Sequence, residues 1–137
     1  MRRILITGAG SGIGAGLAAI LSRAGHHAVV SDVDVEAAKR VEGEIRRAGG
    51  QASSLKLDIT QSEKLEAAVR EAGPVDVLIN NAGLQHVARL EEFPSDKWRL
   101  LVAVMLTGVA DLTRAVLPGM RERRYGRIIN IGSIHSL

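Results

Sequence analysis

The sequence predicts an α/β fold in which a doubly wound parallel sheet is covered by helices. Short β-branched runs alternate with longer segments of helical periodicity, and glycine or proline closes the helical segments. The final run, with Ile128, Ile129 and Ile131, reads as a strand buried on both faces. Five strands are predicted: Arg3 to Thr7, His27 to Ser31, Ser53 to Leu57, Val75 to Asn80, and Gly126 to Gly132.

Each helix between them carries one apolar face. After the first strand, Ile13, Leu17, Ile20, Leu21 and Ala24 recur at helical spacing and stop at Gly25. After the second, Asp34 stands at an N-cap position, and Ala38, Val41, Ile45 and Ala48 lead to Gly49-Gly50. Thr60 is the equivalent cap candidate before Leu65, Ala68, Val69 and Ala72, which end at Gly73-Pro74. Pro94-Ser95-Asp96 opens a long helix directed toward Arg124, with Trp98, Leu101, Val102, Met105, Val109, Leu112 and Val116 on one face. Pro118-Gly119 is expected to break or kink its last turns. Leu100, Ala103, Val104, Leu106 and Ala110 make the opposite face apolar as well, so the helix spanning 95–124 is expected to join a homo-oligomer.

With 137 residues, of which 46% are hydrophobic and 24% charged, the chain suits one domain spanning 1–137. No cysteine is present, which excludes disulfides and thiolate metal sites and fits a reducing compartment such as the cytoplasm. No metal site is expected. The formal charge of +3 comes from scattered basic residues, apart from Arg121, Arg123 and Arg124, and only Phe93, Trp98 and Tyr125 can stack on bases. No nucleic-acid partner is therefore expected. The uncharged run from Ile4 to Ser22 after Arg2 and Arg3 has the outline of a signal peptide or membrane span, but Gly8, Gly10, Gly12, Gly14 and Gly16 weaken both readings. No membrane partner is expected.

Thr7-Gly8-Ala9-Gly10-Ser11-Gly12-Ile13-Gly14 follows an apolar strand and opens an amphipathic helix. Glycines in that place clear side chains from a helix N-terminus, where backbone N–H groups and the helix dipole attract a pyrophosphate. A tight βα turn without a ligand is the plainer alternative. No Lys-Ser or Lys-Thr follows the glycines, which excludes a Walker-type loop. The pattern indicates a Rossmann-like dinucleotide turn.

Asp32 ends the second strand, where its carboxylate can accept from both ribose hydroxyls of an adenosine and repel a 2′-phosphate; helix capping is its other reading. No arginine or lysine stands beside it in the sequence, and Ser11 rather than a basic residue precedes Gly12, so NAD is expected over NADP. Asp58, at the end of the third strand, is either an acceptor for the adenine amino group or a cap for the next helix.

Thr7-Gly8-x-x-x-Gly12-Ile13-Gly14, then Asp58, then Asn80-Asn81-Ala82-Gly83 resemble the short-chain dehydrogenase/reductases, in order and spacing, along essentially the whole chain. The resemblance implies cofactor contacts from Gly8, Ser11, Gly12, Ile13, Gly14, Asp32, Asp58, Ile59, Asn81, Ala82 and Gly83, with Asn80 steadying the sheet. Asn80 to His86, Phe93 to Trp98 and Gly126 to His135 further resemble the members that oxidise a small hydroxy acid such as 3-hydroxybutyrate. There the positions of Gln85 and His135 hold the substrate carboxylate, and that of Ser133 holds the reacting hydroxyl. Neutral amide and imidazole donors suit a carboxylate anchor, and a hydroxyl can orient an alcohol. Each of the three also reads as an ordinary loop, turn or cap residue. His86 reads as a surface residue.

The family's proton transfer uses a Tyr-x-x-x-Lys pair after the serine strand, the lysine lowering the tyrosine pKa. Here Tyr125 precedes that strand, Ile129 stands four residues on, and no lysine follows Lys97. Met105 occupies the place of a helix asparagine that supports the family's lysine, and core filling is its expected role. Doubly wound dinucleotide domains carry six strands, and five are legible. The sequence therefore predicts a sheet truncated after its fifth strand: an inactive cofactor-binding portion of an oxidoreductase, a non-catalytic NAD(H)-binding module, or a remnant.

Overall fold

The computed structural model of the chain describes residues 1–133. Its strands are β1 (Arg3–Ile6), β2 (His27–Asp32), β3 (Gln51–Lys56), β4 (Val77–Asn80) and β5 (Arg127–Asn130). They form one parallel sheet in the order β3-β2-β1-β4-β5. The chain works outward from β1 to β3, then returns to the other side of β1. That reversal opens a crevice beyond the carboxyl ends of β1 and β4.

Alternation along the strands divides the core in two. On one face Ile4, Ile6, Val30 and Ile79 meet Ala38, Val41 and Ile45, with Leu17 and Leu21 packed against them. These helical residues belong to α1 (Gly12–Arg23) and α2 (Val35–Arg47). On the other face Leu5, Val29, Leu55 and Leu78 meet Leu65, Leu112, Val116 and Met120. Those belong to α3 (Leu65–Ala72) and to α5 (Gly108–Glu122). Burial on both faces explains the near-continuous apolar character of the central strands.

Local signals operate as expected at α2, where Asp34 Oδ1 accepts from Ala37 N at 3.1 Å. Thr60 does not cap α3. A 3₁₀ turn at Ser62–Lys64 intervenes, and Thr60 instead donates its backbone N–H and hydroxyl to Asp58 Oδ1, at 2.9 and 2.6 Å. β3 begins two residues before the predicted Ser53 because its ladder with β2 starts at the pair His27 and Gln51.

The long helix starts as α4 (Ser95–Val102), passes through a π turn at Ala103–Thr107 and continues as α5. Pro118 does not break it: α5 runs on to Glu122. Proline removes one backbone donor, while buried Val116 and Met120 hold the final turns on the sheet. The helix Ser95–Glu122 is long and apolar enough to cross a membrane by length and composition alone. Its second half nonetheless contributes Leu112, Val116 and Met120 to the core. The first half is uncovered, with Trp98 53% and Leu106 67% exposed. β5 is exposed along its whole length.

α5 ends in a 6→1 bond from Tyr125 N to Met120 O at 3.0 Å, which puts Arg124 at φ 55. A left-handed backbone costs an L-residue other than glycine about 1 kcal/mol. Arg124→Gly is therefore expected to raise stability by roughly 1 kcal/mol, visible as a melting temperature higher by about 4 °C. An unchanged or lower midpoint contradicts this account of the turn.

His27 Nε2 lies 3.0 Å from Ser53 Oγ. Burial, and secondarily the Arg3 charge, hold its imidazole below the ordinary histidine pKa. The unfolded chain therefore takes up this proton more readily than the folded one. Its contribution to stability is intact above about pH 6.5 and declines as pH falls toward the depressed folded value. Urea midpoints measured between about pH 7 and 5 should decline in the native chain and decline less in His27→Gln. Identical slopes would exclude His27 as the source.

Candidate cofactor-binding site

The turn after β1 uses its glycines for distinct purposes. Gly8 and Gly12 have φ of 61 and 56, in the left-handed region. A Cβ on Gly8 would lie 2.8 Å from Ala82 Cα, so the turn rests directly on the backbone that continues β4. A Cβ on Gly12 would meet nothing within 4 Å, which leaves open space before the helix end. Ser11 is the N-cap of α1, its side chain makes no capping bond, and the first helical bond runs from Ala15 N to Ser11 O at 3.2 Å. The N–H groups of Gly12, Ile13 and Gly14 thus have no acceptor within the helix. Gly14 stands behind the turn, where a Cβ would sit 2.5 Å from Gly8 O and 2.6 Å from Asn81 Nδ2. Its contribution is close packing of helix against strand rather than a place on the cleft wall.

Thr7, to which the motif assigns no contact of its own, joins the two strand ends. It is 2% exposed, and its Oγ1 accepts from both Asn81 N and Ala82 N at 2.9 Å. Asn81 Nδ2 answers by donating to Thr7 O at 3.0 Å and Gly8 O at 3.3 Å. Asn80 serves the other flank, donating to Asn130 Oδ1 at 2.9 Å and to Thr113 Oγ1 at 3.4 Å, so it links β4 to β5 and α5.

Asp32 does not cap α2; that position belongs to Asp34. Its Oδ2 accepts from Gly10 N at 2.9 Å and its Oδ1 from Asp34 N at 3.0 Å. A carboxylate offers about four lone-pair positions, so each oxygen keeps capacity for a ligand hydroxyl. A basic residue does stand beside Asp32 once the sheet forms, because Lys56 is its register partner in β3. Lys56 lines a neighbouring hollow with Gln61 and Lys64.

A cleft of about 490 Å³ gathers Gly8, Ser11, Gly12, Ile13, Asp32, Asp58, Ile59, Asn81, Ala82 and Gly83, every predicted cofactor residue except Gly14. Val33, Leu84 and Val104 add apolar wall that the motifs did not indicate, and none of the described lining residues is lysine or arginine. Open helix N–H groups at one end and a carboxylate with spare acceptor capacity at the other fit a dinucleotide. Among the described residues no three His, Cys, Asp or Glu side chains gather to hold a metal ion.

The predicted substrate residues are not part of this cleft. Gln85 is exposed in the irregular segment after Gly83, and Ser133 is exposed just beyond β5. His135 lies outside the described residues. His86 is on the surface as expected, but it meets Phe93 edge-on with ring centroids 5.1 Å apart, and Phe93 meets Trp98 at 5.6 Å. These contacts tie the Gln85 segment to α4. Met105 does not fill the core. It is 51% exposed in the π turn, with its sulfur 4.0 Å from where a Gly83 Cβ would be. The insertion at the π turn shifts the helical register, so residues read as one stripe do not share a face.

The fold and this cleft define a parallel α/β domain of the dinucleotide-binding type. The chain belongs to the short chain dehydrogenase family, whose model matches residues 2–137. It is 40% identical over 137 residues to D-beta-hydroxybutyrate dehydrogenase of Cupriavidus necator, a match covering 97% of this chain and 53% of that enzyme. A gluconate 5-dehydrogenase from Burkholderia cenocepacia, solved in complex with NADP and tartrate, superposes with TM-score 0.93 at 40% identity, covering 98% of this chain and 55% of that one. A 3-oxoacyl-(acyl-carrier protein) reductase with bound NAD from Brucella melitensis gives TM-score 0.90 at 35% identity, covering 96% and 53%. The chain spans about half the length of the curated relatives it matches.

The Thr7 bridge is directly testable. Thr7→Val keeps the side-chain shape but leaves two backbone donors without their acceptor, an expected loss of about 2 kcal/mol in urea unfolding. Thr7→Ser, which keeps the oxygen, should recover most of it. Equal losses in both variants would assign the effect to packing instead.

Proposed function

We propose that this chain is the cofactor-binding portion of an NAD-dependent dehydrogenase that oxidises the secondary alcohol of a small hydroxy acid such as 3-hydroxybutyrate. The observation that carries the cofactor assignment is Asp32, a carboxylate on the wall of a cleft whose described lining holds no cation. A 2′-phosphate there would meet a negative charge, whereas two ribose hydroxyls would meet acceptors. The helix N–H groups of Gly12 and Ile13 would hold the pyrophosphate, with Ser11 at the cap. Asp58, Ile59 and Val33 would border the adenine. Asn81, Ala82 and Gly83 would lie along the nicotinamide side.

When bound, the nicotinamide ring supplies a hydride acceptor. Ser133 would orient the alcohol, and Gln85 and His135 would hold the carboxylate as neutral donors. The 40% identity to D-beta-hydroxybutyrate dehydrogenase supports this substrate class. Tyr125 does not serve as base: it stacks under Arg2, 3.5 Å from the ring centroid, next to the amino ends of the strands and opposite the cleft. No Tyr-x-x-x-Lys pair occurs in the 137 residues. This chain alone is accordingly inactive in our reading. The exposed apolar residues of the helix, among them Trp98, Leu100 and Leu106, are its contact with a second copy. The cysteine-free composition suits the cytoplasm.

Met105 and the lack of a Tyr-x-x-x-Lys pair within these 137 residues also favour a second reading, in which the chain binds NAD(H) without catalysing. Calorimetric titration with NAD and NADP tests what the two readings share. NAD should bind at least about tenfold tighter than NADP, or ~1.4 kcal/mol, and both Asp32→Ala and Gly12→Val should abolish the preference or the binding. Tighter binding of NADP would overturn the assignment. Mixing these 137 residues with NAD and 3-hydroxybutyrate should produce no NADH; robust turnover would refute the view that proton transfer needs the Tyr-x-x-x-Lys pair they lack.

A further inference from the structure

The Asp32 carboxylate touches the phosphate-binding turn itself. Gly10 is buried, and its N–H donates to Asp32 Oδ2 at 2.9 Å, while the adjacent Ala9 N donates to Ser31 O at 2.9 Å. The turn after β1 is thus pinned to the end of β2 by one backbone bond and one carboxylate bond. A Cβ on Gly10 would lie 2.8 Å from both Asp32 Oδ2 and Ala37 Cβ, so the turn, the carboxylate and the first turn of α2 are in contact at this point. The second oxygen continues the connection: Asp34 N donates to Asp32 Oδ1 at 3.0 Å, and Asp34 Oδ1 caps α2 through Ala37 N at 3.1 Å.

We infer that Asp32 is a positioning residue for the glycine turn as well as the acceptor for the adenosine ribose, and that it couples the two ends of the dinucleotide through Gly10. The inference rests on the cofactor reading above for its ligands, but its structural half does not. Without the carboxylate, the Gly10 N–H is a buried donor lacking its partner, and the turn must shift to satisfy it. The open N–H groups of Gly12 and Ile13 follow within three residues and move with it. Electrostatics supplies the contrary expectation. Removing a negative charge from a cleft wall by itself strengthens binding of an anion. Loss of affinity for a pyrophosphate that carries no ribose therefore reports the shape of the turn, not contact with Asp32. Replacing Asp32 with a neutral residue should then weaken NAD and NADP together instead of exchanging one for the other.

The experiment compares the native chain with Asp32→Ala, Asp32→Asn and the capping control Asp34→Ala. Two readouts are taken by NMR: hydrogen exchange of the Gly10 amide without ligand, and titration with inorganic pyrophosphate followed at the amides of Ser11, Gly12 and Ile13. Asp32→Ala should speed Gly10 exchange by about tenfold or more and weaken pyrophosphate binding by about threefold or more. Asp32→Asn, which keeps one acceptor oxygen, should fall between it and the native chain, and it decides the matter if Asp32→Ala does not fold. Asp34→Ala should lower thermal stability and leave pyrophosphate affinity unchanged. Unchanged Gly10 exchange, or pyrophosphate binding equal or tighter in the Asp32 variants, would overturn the inference. If the native chain binds neither NAD nor pyrophosphate, the cofactor reading falls and the Gly10 exchange rate alone decides the positioning role.

Discussion

The seam between β1 and β4 is the constraint on which the rest of the molecule depends. Two parallel strands that are far apart in sequence end side by side, and their continuations must part to leave a crevice. Here they part in contact: Gly8 rests on the Ala82 backbone, and Thr7 Oγ1 takes the two amides that follow β4. Asn81 returns two bonds to the carbonyls of Thr7 and Gly8. A side chain larger than hydrogen at Gly8 would force the strand ends apart, and loss of the Thr7 oxygen would leave two donors unmet. The same few atoms therefore close the sheet and aim α1 at the cleft.

Everything placed around that seam follows from covering the sheet. Four of the five strands are buried by helices on both faces, and their apolar residues divide cleanly between two cores. The fifth is different. β5 is exposed throughout, with Ile128 36% and Ile129 45% accessible and Ile131, just beyond it, 43%, and the first half of the long helix is similarly uncovered. These two surfaces are of one kind, apolar by sequence and exposed by position. The cleft draws on buried and exposed parts alike, since exposed Ile13, Val33 and Leu84 line it beside buried Thr7 and Ile59.

Whether a feature is fixed locally or by tertiary contact decides how legible it is in the sequence. The glycine turn, the Asp34 cap and the helix stops are local devices, recognisable because residue type and conformation are linked within a few positions. The gathering of ten predicted residues in one cleft followed from a motif with strong context. Features fixed by register or tertiary contact were not readable. Lys56 became a neighbour of Asp32 only through pairing of β2 with β3. Thr60 was drawn to Asp58 by the turn between them, and Pro118 was tolerated because the core holds the turns around it. Met105 falls on a core stripe only if the helix is unbroken, whereas the π turn at Ala103–Thr107 displaces it. The Phe93 contacts of His86 and Trp98 required the chain to return on itself.

A parallel sheet sends every strand's carboxyl end to one edge, so residues that follow strands share a site however far apart they are in sequence. Thr7, Asp32, Asp58 and Asn81 meet for that reason, and Ser133, following β5, is delivered to the same edge. Tyr125 precedes β5 and is delivered to the opposite one, where it stacks with Arg2 and Arg127. No side-chain rotation spans the height of the sheet. Strand direction therefore keeps Tyr125 away from the cleft: the only tyrosine in the sequence is placed before a strand, at the end of the sheet opposite the one where the cleft lies.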